Sequence, residues 1–276
     1  MHNATLPRPT LEINDVSVSL GRGRNRRTII HNVSMHITAG EVVGIIGESG
    51  SGKTTLARTI VGAIEARGGA ILLDGQTIPA KGLDQQRFRR KGELQYVFQD
   101  PLLSLNPDRT IFWSIGEPLV SVNIPSHDEV RHAMTLARLD PGLADRRPGE
   151  ISGGQRQRAL IARALVTRPR FIIADEPVSA LDASIRVEIL DLLRSLAVEQ
   201  HVGVGFISHD IGSVAGIADR IIVLYRGRVV EAGRTDQIIL NPQHPYTKLL
   251  IGSTPSLFSR GLSINERIAL KALIID

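Results

Sequence analysis

One short glycine-rich segment, residues 47–55, constrains the fold and chemistry of this chain more than any other feature. It fits the pattern G-x-x-x-x-G-K-[ST], in which backbone N–H groups surround the phosphates of a nucleoside triphosphate. The apolar run 41–46 predicts a buried strand before the segment, and residues 56–61 predict a helix after it. Average composition yields the bare pattern in roughly one chain of this length in a hundred, so the flanking strand and helix are what favour a working phosphate loop. The phosphate loop consists of Gly47, Glu48, Ser49, Gly50, Ser51, Gly52, Lys53, Thr54 and Thr55.

The residue types within the phosphate loop match the chemistry of a bound triphosphate. Its glycines let the backbone approach the phosphates in conformations that a Cβ atom would penalise. The positive end of the following helix faces the anion. Lys53 brings a compact cation to the β- and γ-phosphates, and the Thr54 hydroxyl is placed to bind Mg²⁺. These features predict binding of ATP or GTP. They do not indicate which process the energy of the nucleotide drives.

Composition places the chain among ordinary globular proteins. Its 276 residues can bury a sizeable core, and 42% hydrophobic with 22% charged residues is typical. The lack of cysteine excludes disulfides, thiolate-bound iron–sulfur clusters and catalytic thiols, and it fits a reducing compartment. No stretch approaches the ~20 apolar residues that a membrane-spanning helix requires, and no apolar signal segment opens the chain. We therefore expect that the chain does not cross a membrane by itself.

The basic segment 21–27, GRGRNRR, accounts for much of the formal net charge of +5. Nucleic acid binding is one interpretation, and contact with anionic lipid headgroups is another. A solvated hairpin loop between two strands is the third. No aromatic residue interleaves with these arginines, although stacking on bases would call for one. We therefore favour the hairpin loop and predict no nucleic acid partner.

Hydrophobic patterning predicts an α/β fold in three successive parts. The N-terminal part alternates like antiparallel β structure, with a tight turn at Asp74-Gly75 between strands 70–73 and 76–78. From 101 to about 149 the pattern is helical and includes a capping box of Ser126 and Glu129. Parallel-sheet structure then resumes, with strands at 171–174, 202–208 and 220–224, a helix at 185–196 and a hairpin at 226–227. The tail 256–276 is weakly patterned and predicts a loose helix.

A second anion-binding point is predicted at Ser152. Ser152 and Gln155 form a capping box that opens a helix running to about residue 166. With Gly153 and Gly154 in its first turn, the positive end of this helix can attract an anion. Helix capping alone explains these residues in isolation.

Polar residues follow three of the predicted strands. Asp175 and Glu176 end an apolar strand, where one carboxylate can hold Mg²⁺, usually through water, and the other can polarise the attacking water. His209 ends a later strand, where it can touch the γ-phosphate, although a lone histidine is more often structural. Gln99 follows a third strand and can reach the metal and the attacking water. Asp175, Gln99 and Thr54 are thus the candidate metal residues.

Together these residues resemble the nucleotide-binding subunit of an ATP-binding cassette (ABC) transporter, over about residues 11–255. The order and spacing of the motifs make this resemblance specific. They are the Walker A loop at 47–55, the Q-loop Gln99, the signature at 151–155, Walker B at 171–176, the D-loop at 179–182 and the switch histidine His209. The resemblance implies a parallel core sheet, an N-terminal antiparallel β subdomain and an inserted helical subdomain. The implied limits are about 100–165 for the helical subdomain, about 235–255 for a C-terminal segment and 256–276 for a tail.

The resemblance also implies a nucleotide site shared between two subunits. In similar proteins two ATPase subunits face each other head to tail, so the signature helix would cover the γ-phosphate of ATP bound by a partner. ATP closes this dimer and hydrolysis reopens it, which drives attached membrane subunits. The implied partners are a second ATPase subunit, identical or different, two transmembrane permease subunits and an extracytoplasmic solute-binding protein. The implied place is the cytoplasmic face of the cell (inner) membrane.

Two stretches resemble bacterial dipeptide and oligopeptide importers. They are 99–107, QDPLLSLNP, and 241–247, NPQHPYT, followed by Ser253-Thr254-Pro255. A proline-rich turn after a helix is the alternative for the second stretch. With both stretches present, we favour an importer of peptides or similar small solutes. Related importers carry nickel chelates or other small solutes, which stay open as alternative substrates.

The chain departs from the family pattern in three respects. Leu20 stands where similar proteins place an aromatic ring near the adenine, and leucine offers apolar contact without stacking. Ile151 replaces the usual leucine of the signature, which is a conservative change. The cysteine cluster of some peptide-importer subunits is absent, so no iron–sulfur cluster is expected.

Other protein classes share some of these motifs. Chromosome-maintenance and DNA-repair ATPases insert very long coiled coils between Walker A and the signature, whereas this chain has a short helical segment there. Translation-associated cassette proteins normally carry two cassettes in one chain. A module that holds ATP without turnover would have no need of Glu176 and His209. The sequence therefore predicts a transport ATPase, with a soluble DNA-repair or chromosome ATPase as the alternative from another class.

Overall fold

Two β-sheets form the framework of the molecule in a computed structural model, which describes residues 9–21, 23–120, 127–253 and 264–274. The strands are β1 Thr10–Leu20, β2 Arg27–Thr38, β3 Val42–Ile46, β4 Gly68–Leu73, β5 Gln76–Thr77, β6 Leu94–Val97, β7 Phe171–Asp175, β8 Gly203–Ile207, β9 Arg220–Tyr225 and β10 Arg228–Arg234. The helices are α1 Lys53–Ile60, α2 Gly82–Lys91, α3 Pro101–Ser104, α4 Ile111–Val120, α5 His127–Leu136, α6 Gly153–Leu165, α7 Ala183–Gln200, α8 Ile211–Ile217, α9 Thr235–Leu240, α10 Pro245–Gly252 and α11 Ile264–Ala272. The predicted α/β class is confirmed.

The N-terminal sheet is antiparallel, with the strand order β2-β1-β4-β5. In its tight turn, Asp74 (φ +51°) and Gly75 (φ +74°) are both left-handed, as a two-residue type I′ turn requires. Leu20 pairs with Arg27 across the first hairpin. The basic segment is therefore the predicted hairpin loop, although Arg22 within it lies outside the described residues.

The core sheet positions the candidate site. Its strand order is β10-β9-β3-β8-β7-β6, and all its pairs are parallel except β9 with β10 at the edge. Every residue of β3, β7 and β8 is buried, because both faces of the sheet are covered, which explains their continuous apolar runs. Parallel strands end at a common edge, so the loops after β3, β7 and β8 meet there.

Four helices, α3 to α6, lie in the chain between the neighbouring strands β6 and β7. The long helix α6 packs against the other three, and α5 buries the predicted face of Val130, Ala133 and Met134. The predicted capping residue Ser126 lies outside the described residues. Between the phosphate loop and β7, no described helix is longer than the 13 residues of α6. The long coiled coil of a chromosome-maintenance ATPase has no counterpart in this part of the structure.

At the candidate site, the start of one helix and the end of one strand differ from the sequence-based expectation. Helix α1 begins at Lys53 rather than near residue 56, because Gly52 at φ +105° provides a left-handed N-cap inside the phosphate loop. Strand β6 ends at Val97, so Phe98 and Gln99 belong to the connection with α3. Hydrophobic periodicity detects neither boundary, because both depend on backbone conformation rather than on side-chain spacing.

The C-terminal part of the chain packs onto the core sheet as short helices. Strand β10 leads into α9 and α10, and α11 packs against α10. The helix expected in the tail is therefore present. Thr254 and Pro255, which follow the second importer-like stretch, lie outside the described residues. Among the helices of the described ranges, none combines the length and apolarity needed to span a membrane.

Candidate functional site

The phosphate loop leaves the central strand β3 through a tightly packed glycine. Gly47 has φ +155°, and a Cβ atom there would lie 2.2 Å from the carbonyl oxygen of Leu224. At the far end of the loop, a Cβ on Gly52 would lie 2.7 Å from Cδ1 of Ile30. The loop is thus packed closely on its underside, while its tip at 48–50 is exposed. This arrangement leaves the outer face of the loop free for a ligand.

Lys53 is buried at the centre of this loop. Its Nζ donates to the carbonyl oxygens of Gly47 at 2.7 Å and Glu48 at 3.0 Å. Burial lowers the pKa of Lys53, and the negative charges of Glu176, Asp175 and Glu48 oppose that effect in this order. The predicted phosphate-binding cation therefore lies in the field of Glu176, the predicted catalytic carboxylate, and Asp175, the predicted metal ligand.

Asp175, the last residue of β7, is 1% exposed. Its Oδ2 accepts a hydrogen bond of 2.6 Å from the Tyr96 hydroxyl on the neighbouring strand β6. Burial, followed by the hydrogen bond to Asp175, raises the pKa of Tyr96, so this hydroxyl remains a donor at neutral pH. The other carboxylate oxygen, Oδ1, is buried and has no hydrogen-bond partner within the described structure. Asp175 is therefore oriented by Tyr96 with one oxygen left for a ligand.

Glu176 follows directly and adopts a left-handed backbone conformation, with φ +51°. Non-glycine residues in this region are uncommon and concentrate at functional sites. Its Oε1 accepts a hydrogen bond of 3.0 Å from the backbone N–H of His209 and lies 2.8 Å from His209 Nδ1. Its Oε2 is buried without a hydrogen-bond partner in the part of the chain that is described. The structure thus brings together Glu176 and His209, two of the predicted catalytic residues.

Buried oxygen atoms of the phosphate loop and of the end of β7 fit a magnesium ion. Asp175 Oδ1, Glu176 Oε2 and Ser51 Oγ are all buried without hydrogen-bond partners in the described structure, and Thr54 lies half-buried in the first turn of α1. In the described ranges no group of three or more histidine, cysteine, aspartate or glutamate side chains could hold a metal ion. Mg²⁺ is commonly bound by one or two carboxylates together with substrate phosphates rather than by an all-protein cage. The residues present therefore fit Mg²⁺ that arrives with a nucleotide.

The signature helix α6 presents its start to solvent. Ser152 is exposed and accepts a hydrogen bond from the backbone N–H of Gln155 at 3.2 Å, while Gln155 Oε1 accepts one from the Ser152 N–H at 2.8 Å. The predicted capping box is confirmed. A Cβ on Gly154 would lie 2.7 Å from Cγ2 of Ile185 on α7. Gly154 is therefore needed for helix packing as well as being a predicted ligand-binding residue.

Other predicted residues do not join this cluster through hydrogen bonds. Gln99 is exposed and has no hydrogen bond to Asp175 or Glu176 in the described structure. Leu20 ends β1 and is 39% exposed. Ser152 makes no hydrogen bond with the phosphate loop of its own chain among the described contacts. The roles of Gln99, Leu20 and the signature residues therefore remain predictions.

Two tyrosines at the site were not predicted from the sequence. Tyr96 contacts Asp175, and Tyr246 of α10 accepts a hydrogen bond of 2.8 Å from the backbone N–H of Glu48. The residues of these pairs are 79 and 198 positions apart. For Tyr96 the sequence offers one weak indication of a role at the site, because its hydroxyl lies on the strand that precedes Gln99. Tyr246 lies in a motif that the sequence associates with substrate class rather than with the phosphate loop.

Comparison with known sequences agrees with this geometry. Residues 30–179 match the family described as ABC transporter. Residues 230–269 match the C-terminal region of oligopeptide/dipeptide transporters. The chain is 39% identical over 250 residues to the oligopeptide transport ATP-binding protein OppF of Streptococcus pyogenes serotype M1, which covers 89% of this chain and 81% of that protein.

Solved structures with a similar fold agree with the family match. The fold is similar to MJ0796, an ATP-binding cassette solved as a dimer in a post-hydrolysis state bound to ADP and Pi, with a TM-score of 0.73 and 29% identity over 82% of this chain and 98% of that chain. It is also similar to cbiO1 from Clostridium perfringens, part of the ABC transporter complex cbiONQ. There the TM-score is 0.74, with 26% identity over 87% of this chain and 94% of that chain.

Proposed function

The chain belongs to the ABC transporter family, and on this premise we propose that it is the ATP-hydrolysing subunit of an importer of peptides or similar small solutes. One observation carries the proposal. A buried lysine of the phosphate loop lies in the field of two buried carboxylates, each with an oxygen that lacks a hydrogen-bond partner within the described structure. This combination of fixed positive and negative groups suits a triphosphate with its magnesium ion. Similarity to OppF and the match at 230–269 support peptides as the substrate.

In the proposed mechanism, the phosphate loop and the end of β7 both contribute to the binding of Mg·ATP. Lys53 leaves the carbonyl oxygens that it now contacts and bonds to the β- and γ-phosphates, because phosphate oxygens carry more charge. Thr54, Asp175 and Gln99 would hold the ion, which would neutralise charge that develops on the phosphates. Leu20 provides an apolar contact for the adenine.

Glu176 is the proposed general base. Its Oε1 is fixed by the backbone N–H of His209, so its Oε2 remains to accept a proton from the attacking water. The His209 side chain is 65% exposed beyond this carboxylate, where its ring can reach a γ-phosphate. Gln99 reaches the same water from the connection after β6. Glu176, His209 and Gln99 therefore form the proposed catalytic group.

The pocket is completed by a second ATPase subunit. Ser152, Gly153, Gly154 and Gln155 lie at the start of α6, whose backbone N–H groups favour an anion. In our proposal these residues contact the γ-phosphate of the ATP that is bound by the partner's phosphate loop. In the same way, the partner's signature helix covers the nucleotide bound by this chain. The dimeric state of MJ0796 supports this arrangement. ATP then acts as the bridge that closes the dimer.

The remaining partners are proposed because the chain belongs to a transporter family. We place the permease contact in the cleft between the core sheet and the inserted helices. The cleft has a volume of about 480 Å³ and is lined by apolar side chains together with Arg58, Arg89 and Arg163. At its rim Phe98 is 45% exposed, and exposed apolar side chains of this size suit a protein contact. Two permease subunits, a solute-binding protein outside the membrane and a position on its cytoplasmic face complete the proposed assembly.

The proposed domain limits are those expected from the sequence. Residues 11–255 form the ATPase domain, with a helical subdomain at about 100–165 and a C-terminal segment at about 235–255. Residues 256–276 form a tail. In the described part of this tail, α11 packs against α10 and Ile274 packs against the main hydrophobic core, so the tail contacts the domain that precedes it.

The peptide assignment is tested by uptake in cells that lack this chain. We expect such cells to lose uptake of labelled di- and oligopeptides to the background level, because the permease then has no motor. The unsubstituted chain is expected to restore uptake, and the Glu176→Gln variant is not. Uptake of a labelled nickel chelate is the control. Loss of nickel uptake with unchanged peptide uptake would support the alternative substrate class.

The shared pocket is tested by two substitutions at Ser152 that differ in charge alone. Aspartate and asparagine are both good N-cap residues, so the free energies of unfolding of Ser152→Asp and Ser152→Asn should agree within about 0.5 kcal/mol. Beside a partner's γ-phosphate, however, aspartate introduces repulsion of like charges. We expect the Asp variant to hydrolyse ATP about 100-fold more slowly than the unsubstituted chain, and at least about 10-fold more slowly than the Asn variant. Equal rates for the two variants would contradict the shared pocket.

A further inference from the structure

The C-terminal segment reaches back to the phosphate loop through one buried hydroxyl. Tyr246 lies in the first turn of α10 and is 1% exposed. The backbone N–H of Glu48, the second residue of the loop, donates to the Tyr246 hydroxyl oxygen at 2.8 Å. This bond is partly buried, and an N–H group that loses its partner where water is partly excluded is costly. This N–H therefore depends on a side chain that is 198 residues away in the sequence.

We propose that Tyr246 is a positioning residue that holds the phosphate loop in the conformation that binds nucleotide. The inference rests on the proposed function, because it assumes that the loop binds the phosphates of ATP. Around Glu48, the carbonyl oxygen accepts from Ser51 N–H at 3.1 Å and from Lys53 Nζ at 3.0 Å. When Lys53 bonds to the phosphates, two of the described hydrogen bonds still orient the Glu48 backbone. One joins its N–H to the Tyr246 hydroxyl, and the other joins its carbonyl oxygen to the Ser51 N–H.

Tyr246 is itself held rigidly. Its ring stacks on Tyr225 of β9 with centroids 4.2 Å apart, and its backbone N–H donates to His244 Nδ1 at 3.1 Å. Burial, opposed by the hydrogen bond from the Glu48 N–H, raises the pKa of Tyr246 to about 12. The hydroxyl is thus neutral at physiological pH and can accept the loop N–H without placing a negative charge beside the phosphates.

Glu231 of β10 ties the same segment to the core sheet. Its carboxylate accepts hydrogen bonds from the backbone N–H groups of Gln243 at 2.8 Å and His244 at 3.0 Å. Burial favours the neutral form of Glu231, but hydrogen bonds to the carboxylate outweigh it and lower its pKa. The charged group therefore anchors the start of α10 at neutral pH. A continuous set of contacts runs from β10 through α10 to the phosphate loop.

These contacts give the C-terminal segment a role in ATP binding. Residues 230–269, which match the oligopeptide/dipeptide transporter region, include both Glu231 and Tyr246. A loop that is ordered before binding loses less conformational entropy when the nucleotide arrives. Tyr246 should therefore affect nucleotide affinity, whereas Glu176, the proposed general base, governs the chemical step.

The test is the Tyr246→Phe variant of the full chain, which keeps the ring and removes the hydroxyl. We expect binding of Mg·ATP and Mg·ADP, measured by calorimetry, to weaken by about 3- to 10-fold. The KM for ATP should rise by the same factor, with kcat changed by less than about twofold. Tyr225→Phe is the matched control, because it removes a hydroxyl from the stacked ring while leaving the loop contact, and it should bind ATP like the unsubstituted chain.

Two further measurements separate positioning from a general effect on folding. Glu48→Pro removes the N–H donor itself, so in that background Tyr246→Phe should cause no additional loss of affinity. If Glu48→Pro does not fold, hydrogen exchange decides, because the Glu48 amide should lose protection in Tyr246→Phe and keep it in Tyr225→Phe. Unchanged ATP affinity in Tyr246→Phe, or loss of kcat without a change in KM, overturns the inference. A failure of the unsubstituted chain to bind ATP would instead overturn the proposed function.

Discussion

Replacing Glu176 by glutamine is expected to lower steady-state ATP hydrolysis by about 100- to 10,000-fold while ATP binding stays within about threefold of the unsubstituted chain. The amide has nearly the same shape as the carboxylate, and its oxygen can still accept the hydrogen bond from the His209 N–H. It cannot take up a proton from water. The substitution therefore removes the proposed base and leaves the pocket in place.

Binding without turnover should also trap the dimer. If hydrolysis opens the two subunits, Glu176→Gln should remain dimeric with Mg·ATP on size-exclusion chromatography, under conditions in which the unsubstituted chain returns to monomer. Phosphate release gives the rate, and calorimetry gives the affinity. Glu199→Gln, at an exposed position near the end of α7, is the control for the same chemical change. Retained turnover in Glu176→Gln would remove this residue from the role of base.

The elements that carry the site could be predicted from sequence because their signals are local. Strands β3 and β7 are buried on both faces, so their sequences form continuous apolar runs. The capping box at Ser152 is contained within four residues. Parallel strands share a carboxyl edge, and the sequence predicts that Glu176 and His209 each follow a strand of such a sheet. In the structure Glu176 Oε1 lies 2.8 Å from His209 Nδ1.

The contacts that orient these groups could not be predicted, because they depend on packing between distant segments. Nothing in the local pattern around Tyr96 indicates that its hydroxyl bonds to Asp175. The same holds for Tyr246 and the loop N–H of Glu48, which meet only when α10, packed on β10, reaches the loop that follows β3. The left-handed conformation of Glu176 is likewise a product of the folded environment, since glutamate has no preference for it.

The second large effect is expected at Lys53. Lys53→Ala should weaken binding of Mg·ATP by about 100-fold, because two or more charge-assisted hydrogen bonds to the phosphates are lost. The loss has an additional electrostatic part. Lys53 lies in the field of Glu176 and Asp175, and without the cation these carboxylates repel the phosphates. Lys91→Ala, at an exposed position near the end of α2, controls for loss of one positive charge from the chain.

The nucleotide series makes this prediction specific to the phosphate loop. Lys53 is proposed to reach the β- and γ-phosphates, so Lys53→Ala should reduce affinity for ATP and ADP and leave affinity for AMP within about twofold. A general loss of structure would weaken all three nucleotides together, and thermal unfolding of the variant would report it. Lys53 Nζ also donates hydrogen bonds to the carbonyl oxygens of Gly47 and Glu48. Without Lys53, these oxygens lose that donor and can face the incoming anion. Unchanged ATP affinity in Lys53→Ala would contradict the assignment of residues 47–55 as a phosphate-binding loop.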